Sequence, residues 1–177
     1  MTKWNIDPDH TVAALSVRHM MVANVHGQFN RISGTIHFDP ADIPHSSVEV
    51  SIDAATLYTG IPKRDEHLRS EDFLDAANHP QITFKSVKAE GAGSNRFRVT
   101  GALAIRGITR QITFEAEYFG PVKDPFEESG RSIGFFASTT INREEYGMAW
   151  NVAMESGGVM VGKEVTITLE VEADLVT

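Results

Sequence analysis

Apolar and polar residues alternate strictly in several parts of this chain, most clearly near its C-terminus. Between positions 164 and 173 every second residue is apolar, and the residues between them are Thr or Glu. A period of two places alternate side chains on opposite faces of a β-strand, whereas a helix needs a period near 3.6. The segment therefore predicts a strand with one face on a core and the other in water.

The same alternation recurs in seven earlier segments. They lie at 11–19, 34–38, 47–54, 81–85, 97–105, 112–116 and 133–141. Short polar connections join most of them, and 120–130, with two prolines, is predicted to be a loop. Parallel strands would need a long crossover at each connection, so the pattern favours an antiparallel sheet of eight strands. Periodicity does not distinguish a barrel from a sandwich; we favour a barrel.

Composition restricts the class of protein. A chain of 177 residues, 41% hydrophobic and 23% charged, is predicted to form one soluble domain over 1–177. It has no cysteine, which excludes disulfides and thiol chemistry, and no apolar run of membrane-spanning length. A net charge of -8 argues against nucleic-acid binding. Without an apolar signal segment at the N-terminus we expect a cytoplasmic location, or a periplasmic one only for a processed mature chain.

One polar segment, KRDEHLRSEDFLDAANHP at 63–80, interrupts the strand pattern. Ser70 precedes Glu71 and Asp72 as an N-cap precedes an acidic first turn, so two short helical turns are predicted. The chain is therefore predicted to carry a short helical insertion around residues 63–78. This insertion could be a lid, a mouth or a plain connection.

Motifs for catalysis and for cofactors are missing. The sequence has no Walker loop, GxGxxG fingerprint, GxSxG elbow or HExxH pair, and its seven histidines are too far apart for a local chelate. No catalytic residue, metal ligand or cofactor is predicted. His19 falls on the inward face of the first predicted strand, where a hydrogen-bonded core histidine is favoured over a catalytic base.

The apolar face of the predicted sheet, which points towards the core, carries small residues among its large ones. A barrel of about eight strands is either filled by side chains or holds one small ligand, and small residues favour the ligand. The alternative is that they permit close packing. Strand alternation predicts an apolar tunnel lined by Leu15, Val17, Phe38, Val50, Ile52, Phe84, Leu103, Phe114, Phe135 and Ile167.

Six motifs, in order and spacing, resemble the YceI-like family. They are W-x-I-D-P-x-H at 4–10, V-R-H-M at 17–20, G-x-F at 27–29, R-D-x-H-L-R-S-x-D-F at 64–73, H-P-x-I-x-F at 79–84 and N-R-x-x-Y-G at 142–147. The resemblance implies an all-β fold, an extended antiparallel eight-stranded lipocalin-like barrel. It also implies non-enzymatic binding, transport or storage of a polyisoprenoid, either an isoprenoid quinone or a polyprenyl phosphate, and it leaves a homodimer open.

The polar end of such a ligand has four candidate partners. His19, Arg64, His67 and Arg69 are predicted to bind a head group or to line the mouth of the tunnel. The rival for the 63–80 segment is a salt-bridged clasp over one barrel end. Two other functions stay open: a barrel enzyme that uses His19 or His67 as a general base, and a filled barrel that serves as an interaction module.

Overall fold

A computed structural model of the protein describes residues 1–125 and 130–176. Within them, ten strands form one antiparallel sheet, and one α-helix, α1, spans Pro62–Arg69. The strands are β1 (Thr2–Ile6), β2 (Val12–His19), β3 (Ala23–Phe29), β4 (Ile32–Phe38), β5 (Ser47–Asp53), β6 (Gln81–Gly91), β7 (Arg96–Ile105), β8 (Ile108–Lys123), β9 (Arg131–Asn142) and β10 (Val161–Leu175).

The sheet closes through its first strand. β1 pairs with β4 on one side and with β10 on the other, and Trp4 lies opposite both Ile36 and Leu175. This double pairing makes a ring of eight strands, β1 and β4–β10, so the eight-stranded antiparallel barrel is confirmed. Membership of the ring differs from the sequence prediction, because β1 is in it and β2 is not.

The β2–β3 hairpin lengthens the wall beyond the ring. β2 pairs with β10 next to the stretch that β1 occupies, with Leu15 opposite Ile167. β3 then pairs with β2, and its other side makes one bridge, Gln28 with Tyr58. No further described strand pairs with β3 on that side. The loop at 56–59, which precedes α1, contacts this free side, and the Asn30 amide donates to Thr56 Oγ1 at 3.2 Å there.

Alternation did not predict β1 and β3, and it underestimated the length of β8. β1 is short, with only Trp4 and Ile6 buried, and most of β3 is exposed, so neither strand carries a long apolar face. β8 continues to Lys123, into the predicted loop at 120–130. Positions 126–129 of that predicted loop lie outside the described residues.

The helical insertion is confirmed as one helix, but the predicted second helical turn is wrong. Ser70 ends α1 instead of starting a helix, and its extended backbone (φ -71°, ψ 175°) breaks the helical path. Hydrogen-bonded turns follow, in which Phe73 and Asp75 donate to the Ser70 carbonyl. Phe73 and Leu74 are buried, and this burial favours turns that direct both side chains inward.

Aromatic side chains fill one end of the barrel. Phe38, only 2% exposed, lies 5.6 Å from Phe97, 5.0 Å from Tyr118 and 5.1 Å from Phe135 between ring centroids. These distances are typical of favourable aromatic pairs. The other end of the barrel is not filled in this way. Among the described residues, no helix has the length and apolar character to span a membrane.

Candidate functional site

A cavity of about 570 Å³ lies between the barrel wall, the β2–β3 hairpin, α1 and the segment 148–161. Its size falls within the range of small-molecule sites, roughly 300–1,000 Å³. Strand alternation points the apolar side chains of β2, β5, β6, β7 and β10 into it. The cavity reaches the surface at its mouth, where the lining residues Arg18, Ile61 and Lys63 are exposed.

Most of the predicted tunnel residues lie on the wall of this cavity. They are Leu15, Val17, Val50, Ile52, Phe84, Leu103, Phe114 and Ile167. The other two, Phe38 and Phe135, lie around a second cavity of about 90 Å³ at the filled end of the barrel. The structure thus brings eight of the ten predicted residues together and places two beyond them. Their role in ligand binding stays a prediction.

An aromatic pair lies at the boundary between the two cavities, which Val50 and Leu169 also share. Phe84 and Phe114 line both, and their rings meet edge to face at 5.3 Å with an interplanar angle of 89°. Gly101 leaves room for this pair, because a Cβ at that position would lie 2.5 Å from Phe84 Cζ. The small residue at 101 therefore serves close packing, the alternative considered from sequence, and limits the depth of the larger cavity.

Three of the four predicted head-group residues line the larger cavity: His19, Arg64 and His67. Arg69 does not line it. Its Nη2 donates to the Leu57 carbonyl at 2.5 Å, so this side chain ties the end of α1 to the preceding loop. Arg69 thus holds α1 to the loop before it, whereas His19, Arg64 and His67 lie on the cavity wall.

Arg64 combines a clasp contact with a place on the cavity wall. Its Nε donates to Thr59 Oγ1 at 2.7 Å and its Nη2 to the Thr59 carbonyl at 2.8 Å. Buried Asp65 accepts from the Thr59 amide at 2.9 Å and from the Thr59 hydroxyl at 2.5 Å. Thr59 thus fixes the start of α1, and the helix in turn presents Lys63, Arg64 and His67 on one face, as their spacing requires.

Arg143 is a cavity residue that sequence analysis missed. It follows β9 in a short 3₁₀ turn, is 2% exposed, and lines the cavity. Its Nε donates to the Gly162 carbonyl at 2.8 Å, its Nη2 to Val161 at 3.2 Å and its Nη1 to Met148. Burial lowers the pKa of Arg143, yet a guanidinium stays protonated at neutral pH. The N-R-x-x-Y-G motif contained this residue without indicating a role for it.

Aromatic rings connect Arg143 to α1. The guanidinium carbon lies 5.8 Å from the centroid of the Phe73 ring, within cation–π range. His67 meets Phe73 at 5.1 Å and Trp150 at 4.7 Å, edge to face in both cases. These contacts place Arg143, Phe73, Trp150 and His67 in one cluster at the helical side of the cavity.

The described residues bring together few groups suited to catalysis or metal binding. His67 Nε2 lies 2.8 Å from Asp72 Oδ2, but Thr83 is the one hydroxyl side chain among the described lining residues. Asp7, His10 and Glu172 offer ligand atoms within 4.8 Å of one another, the one such group found in the described part of the chain. They line neither cavity, and the 2.6 Å contact of Asp7 with His10 accounts for much of this closeness.

Comparison with known proteins identifies the family. The sequence model that defines the YceI-like domain family matches residues 4–173 of this chain. The chain belongs to the YceI-like family. A UPF0312 protein of Staphylococcus epidermidis is 35% identical to this YceI-like chain over 173 residues, which are 97% of each chain. The family resemblance inferred from the six motifs is thereby confirmed.

Solved structures share the YceI-like fold. A YCEI protein of Campylobacter jejuni superposes with a TM-score of 0.75 at 30% identity, over 89% of this chain and 88% of that one. A polyisoprenoid binding domain from Saccharophagus degradans superposes with a TM-score of 0.72 over 99% and 100% of the two chains. Its sequence is only 13% identical, so this likeness concerns the fold alone.

Proposed function

We propose that the protein binds a long apolar amphiphile, a polyisoprenoid, inside its barrel and transports or stores it without chemical change. The observation that carries the proposal is the cavity of about 570 Å³, whose walls are mainly aliphatic and aromatic side chains. Such a cavity offers a tail a large apolar surface and few polar contacts. Its mouth at Arg18 and Lys63 gives the polar end of an amphiphile a place near water.

The cavity is large enough for a lipid tail of moderate length. At about 30 Å³ for each water-sized group, the volume accommodates on the order of twenty such groups. Transfer of each methylene from water contributes about 0.8 kcal/mol, before the cost of ordering the ligand is subtracted. A tail of several isoprene units would therefore be held tightly by burial alone.

The comparisons support the same class of ligand. The Saccharophagus degradans domain is described as polyisoprenoid binding, and it has the same barrel. The pairing of an apolar barrel interior with a fold used for such lipids favours the binding function over an enzyme. His67 and Asp72 form the best candidate for an oriented base, but Thr83 is the one hydroxyl or thiol side chain among the described residues of the cavity wall.

Two paired substitutions on β10 test the proposal. Ile167 faces the cavity and its neighbour Thr166 is exposed on the outer face. Ile167→Trp is expected to fill part of the cavity and to lower retention of a prenyl lipid at least tenfold, whereas Thr166→Trp should bind like the wild type. Bound lipid is measured by mass spectrometry of an organic extract from protein purified without detergent.

Two results would contradict the proposal. One is an extract with no lipid, together with no uptake of an added prenyl chain by the folded wild-type protein. The other is equal retention by both tryptophan variants. Melting curves of both variants establish that each is folded before lipid is measured.

A further inference from the structure

The charges on the cavity wall are of one sign. Six of the described lining residues are Arg, Lys or His, and none of the described lining residues is Asp or Glu. The whole protein has 24 acidic residues against 16 Lys or Arg and seven His. A wall drawn at random from this sequence would therefore carry about as many carboxylates as basic groups. Four of the six are Arg or Lys, so the permanent charges on the described cavity wall are all positive in a protein of net charge -8.

The basic groups also lack the carboxylate partners that would explain them as structural ion pairs. Among the described residues, Lys63, Arg64 and Arg143 have no Asp or Glu oxygen within ion-pair distance, while His67 is paired with Asp72. Arg143 makes three bonds to backbone carbonyls, and a guanidinium has five N–H donors. The charge of nearby Glu144 acts on Arg143, but that carboxylate is paired with Lys163 at 3.1 Å, so no ion pair is formed with Arg143. A buried guanidinium with unused N–H donors is suited to bind an anion.

These groups are also held in one place. Lys63, Arg64 and His67 share a face of α1, and His67 and Arg143 both contact the Phe73 ring. We name Lys63, Arg64, His67 and Arg143 the basic wall. It lies at the helical side of the cavity, near the mouth, whereas the Phe84–Phe114 pair closes the deep end.

From this arrangement we infer that the basic wall binds an acidic head group, a phosphate or carboxylate, on the amphiphile whose tail fills the cavity. The inference rests on the proposed lipid-binding function and selects among its ligands. A neutral quinone head group offers no charge to the basic wall, while an oxyanion accepts charge-assisted hydrogen bonds from several cations at once.

Two ligands with the same tail test the inference: geranylgeranyl phosphate and geranylgeraniol. The phosphate is expected to bind the wild-type protein at least tenfold more tightly at low salt, a factor in keeping with one charge-assisted hydrogen bond. The Lys63→Gln/Arg64→Gln variant should lose most of that advantage, so that its affinity for the phosphate approaches its affinity for the alcohol. Isothermal titration calorimetry measures both affinities.

A matched control and a second variant keep the test sharp. Lys88→Gln/Arg96→Gln removes the same charge from ion pairs that lie outside the cavity, and it should keep the phosphate preference. Lys63→Glu reverses a charge that makes no hydrogen bond or ion pair in the described structure. A loss of phosphate binding in this variant therefore cannot come from loss of the contacts that hold α1 to Thr59. Melting temperatures verify that each variant is folded.

The outcomes separate the inference from the proposed function. Equal affinity for phosphate and alcohol would overturn the acidic head group and leave lipid binding intact. Binding of neither ligand would overturn the proposed function itself. Inorganic phosphate alone should not bind at the concentrations that saturate the lipid phosphate; equal affinity for the free ion would overturn the assignment to a lipid head group.

Discussion

The rings of Phe84 and Phe114 meet edge to face, with centroids 5.3 Å apart, between the larger and the smaller cavity of the barrel. One ring comes from β6 and the other from β8, two strands that are both neighbours of β7. Together with Val50 and Leu169, which also line both cavities, this pair forms the boundary between them. Beyond it, Phe38, Phe97, Tyr118 and Phe135 fill the barrel.

Removal of one ring from this pair should lengthen the site. Phe84→Ala is expected to join the two cavities and to shift the bound lipids towards longer chains, at a cost of about 3 kcal/mol in the free energy of unfolding. Chain length is measured by mass spectrometry of the extracted lipid, and stability by urea denaturation. Phe135→Ala is the control, because it removes a ring beyond the pair and should leave chain length unchanged. An unaltered lipid profile in folded Phe84→Ala would show that the pair does not limit depth.

Gly101 is expected to be intolerant of any side chain. A Cβ there would lie within 2.5 Å of both the Lys85 carbonyl oxygen and Phe84 Cζ, so Gly101→Ala forces the backbone and the ring to move. Overpacking of this kind costs about 1–3 kcal/mol, which thermal unfolding would detect. In Gly134→Ala the new Cβ would lie 3.6 Å from Phe119 Cβ, an ordinary contact, so this variant should be neutral or slightly stabilising.

The start of α1 should depend on one buried carboxylate. Asp65, 4% exposed, accepts from both the amide and the hydroxyl of Thr59, and Asp65→Ala leaves both donors without that acceptor. We expect a loss of about 2–3 kcal/mol in the free energy of unfolding, measured by urea denaturation. Exposed Glu66 on the next position is the control, and Glu66→Ala should change stability by less than about 0.5 kcal/mol. Equal effects at the two positions would argue against the clasp.

The Asp7–His10 contact should make His10 an unusually basic imidazole. The hydrogen bond to Asp7 raises the pKa of His10, and the same bond lowers the pKa of Asp7. Asp7→Asn should therefore lower the His10 pKa, measured by NMR titration of the imidazole ring. Asp9→Asn removes an equal charge that makes a smaller contribution, so its effect on the His10 pKa should be smaller.

The sign of the pH effect on stability follows from these two directions. A raised His10 pKa stabilises the fold below the unfolded value, about 6.5, and this contribution disappears as pH rises through the folded pKa. A lowered Asp7 pKa stabilises the fold above the unfolded value, about 3.9, and this contribution is lost as pH falls through the folded pKa. The pair should therefore contribute most to the free energy of unfolding between about pH 4 and 6.5. If Asp7→Asn lowered stability only at higher pH, this prediction would be contradicted.

Local patterns predicted much of the strand content and the positions of most cavity-facing side chains. Strand alternation depends on backbone geometry within a few residues, so it was informative where one face is apolar, as along β10. It failed for β1 and β3, whose pairing partners, not their own side chains, define them as strands. At Ser70 the hydroxyl does accept from the Asp72 amide as an N-cap would, but the turns that follow do not continue as a helix, and Phe73 and Leu74 are buried instead.

The sequence by itself determined the family, the antiparallel all-β class and the alternation that directs apolar side chains inward. Only the tertiary structure decided that β1 closes the ring, that Phe84 and Phe114 divide the interior, and that Arg143 joins Lys63 and Arg64 at one wall. The physical reason is the separation in sequence between the residues that make contact. Periodicity reports steric preferences between neighbours in the chain, whereas closure and a shared cavity wall depend on contacts between residues far apart in sequence, such as Trp4 with Leu175.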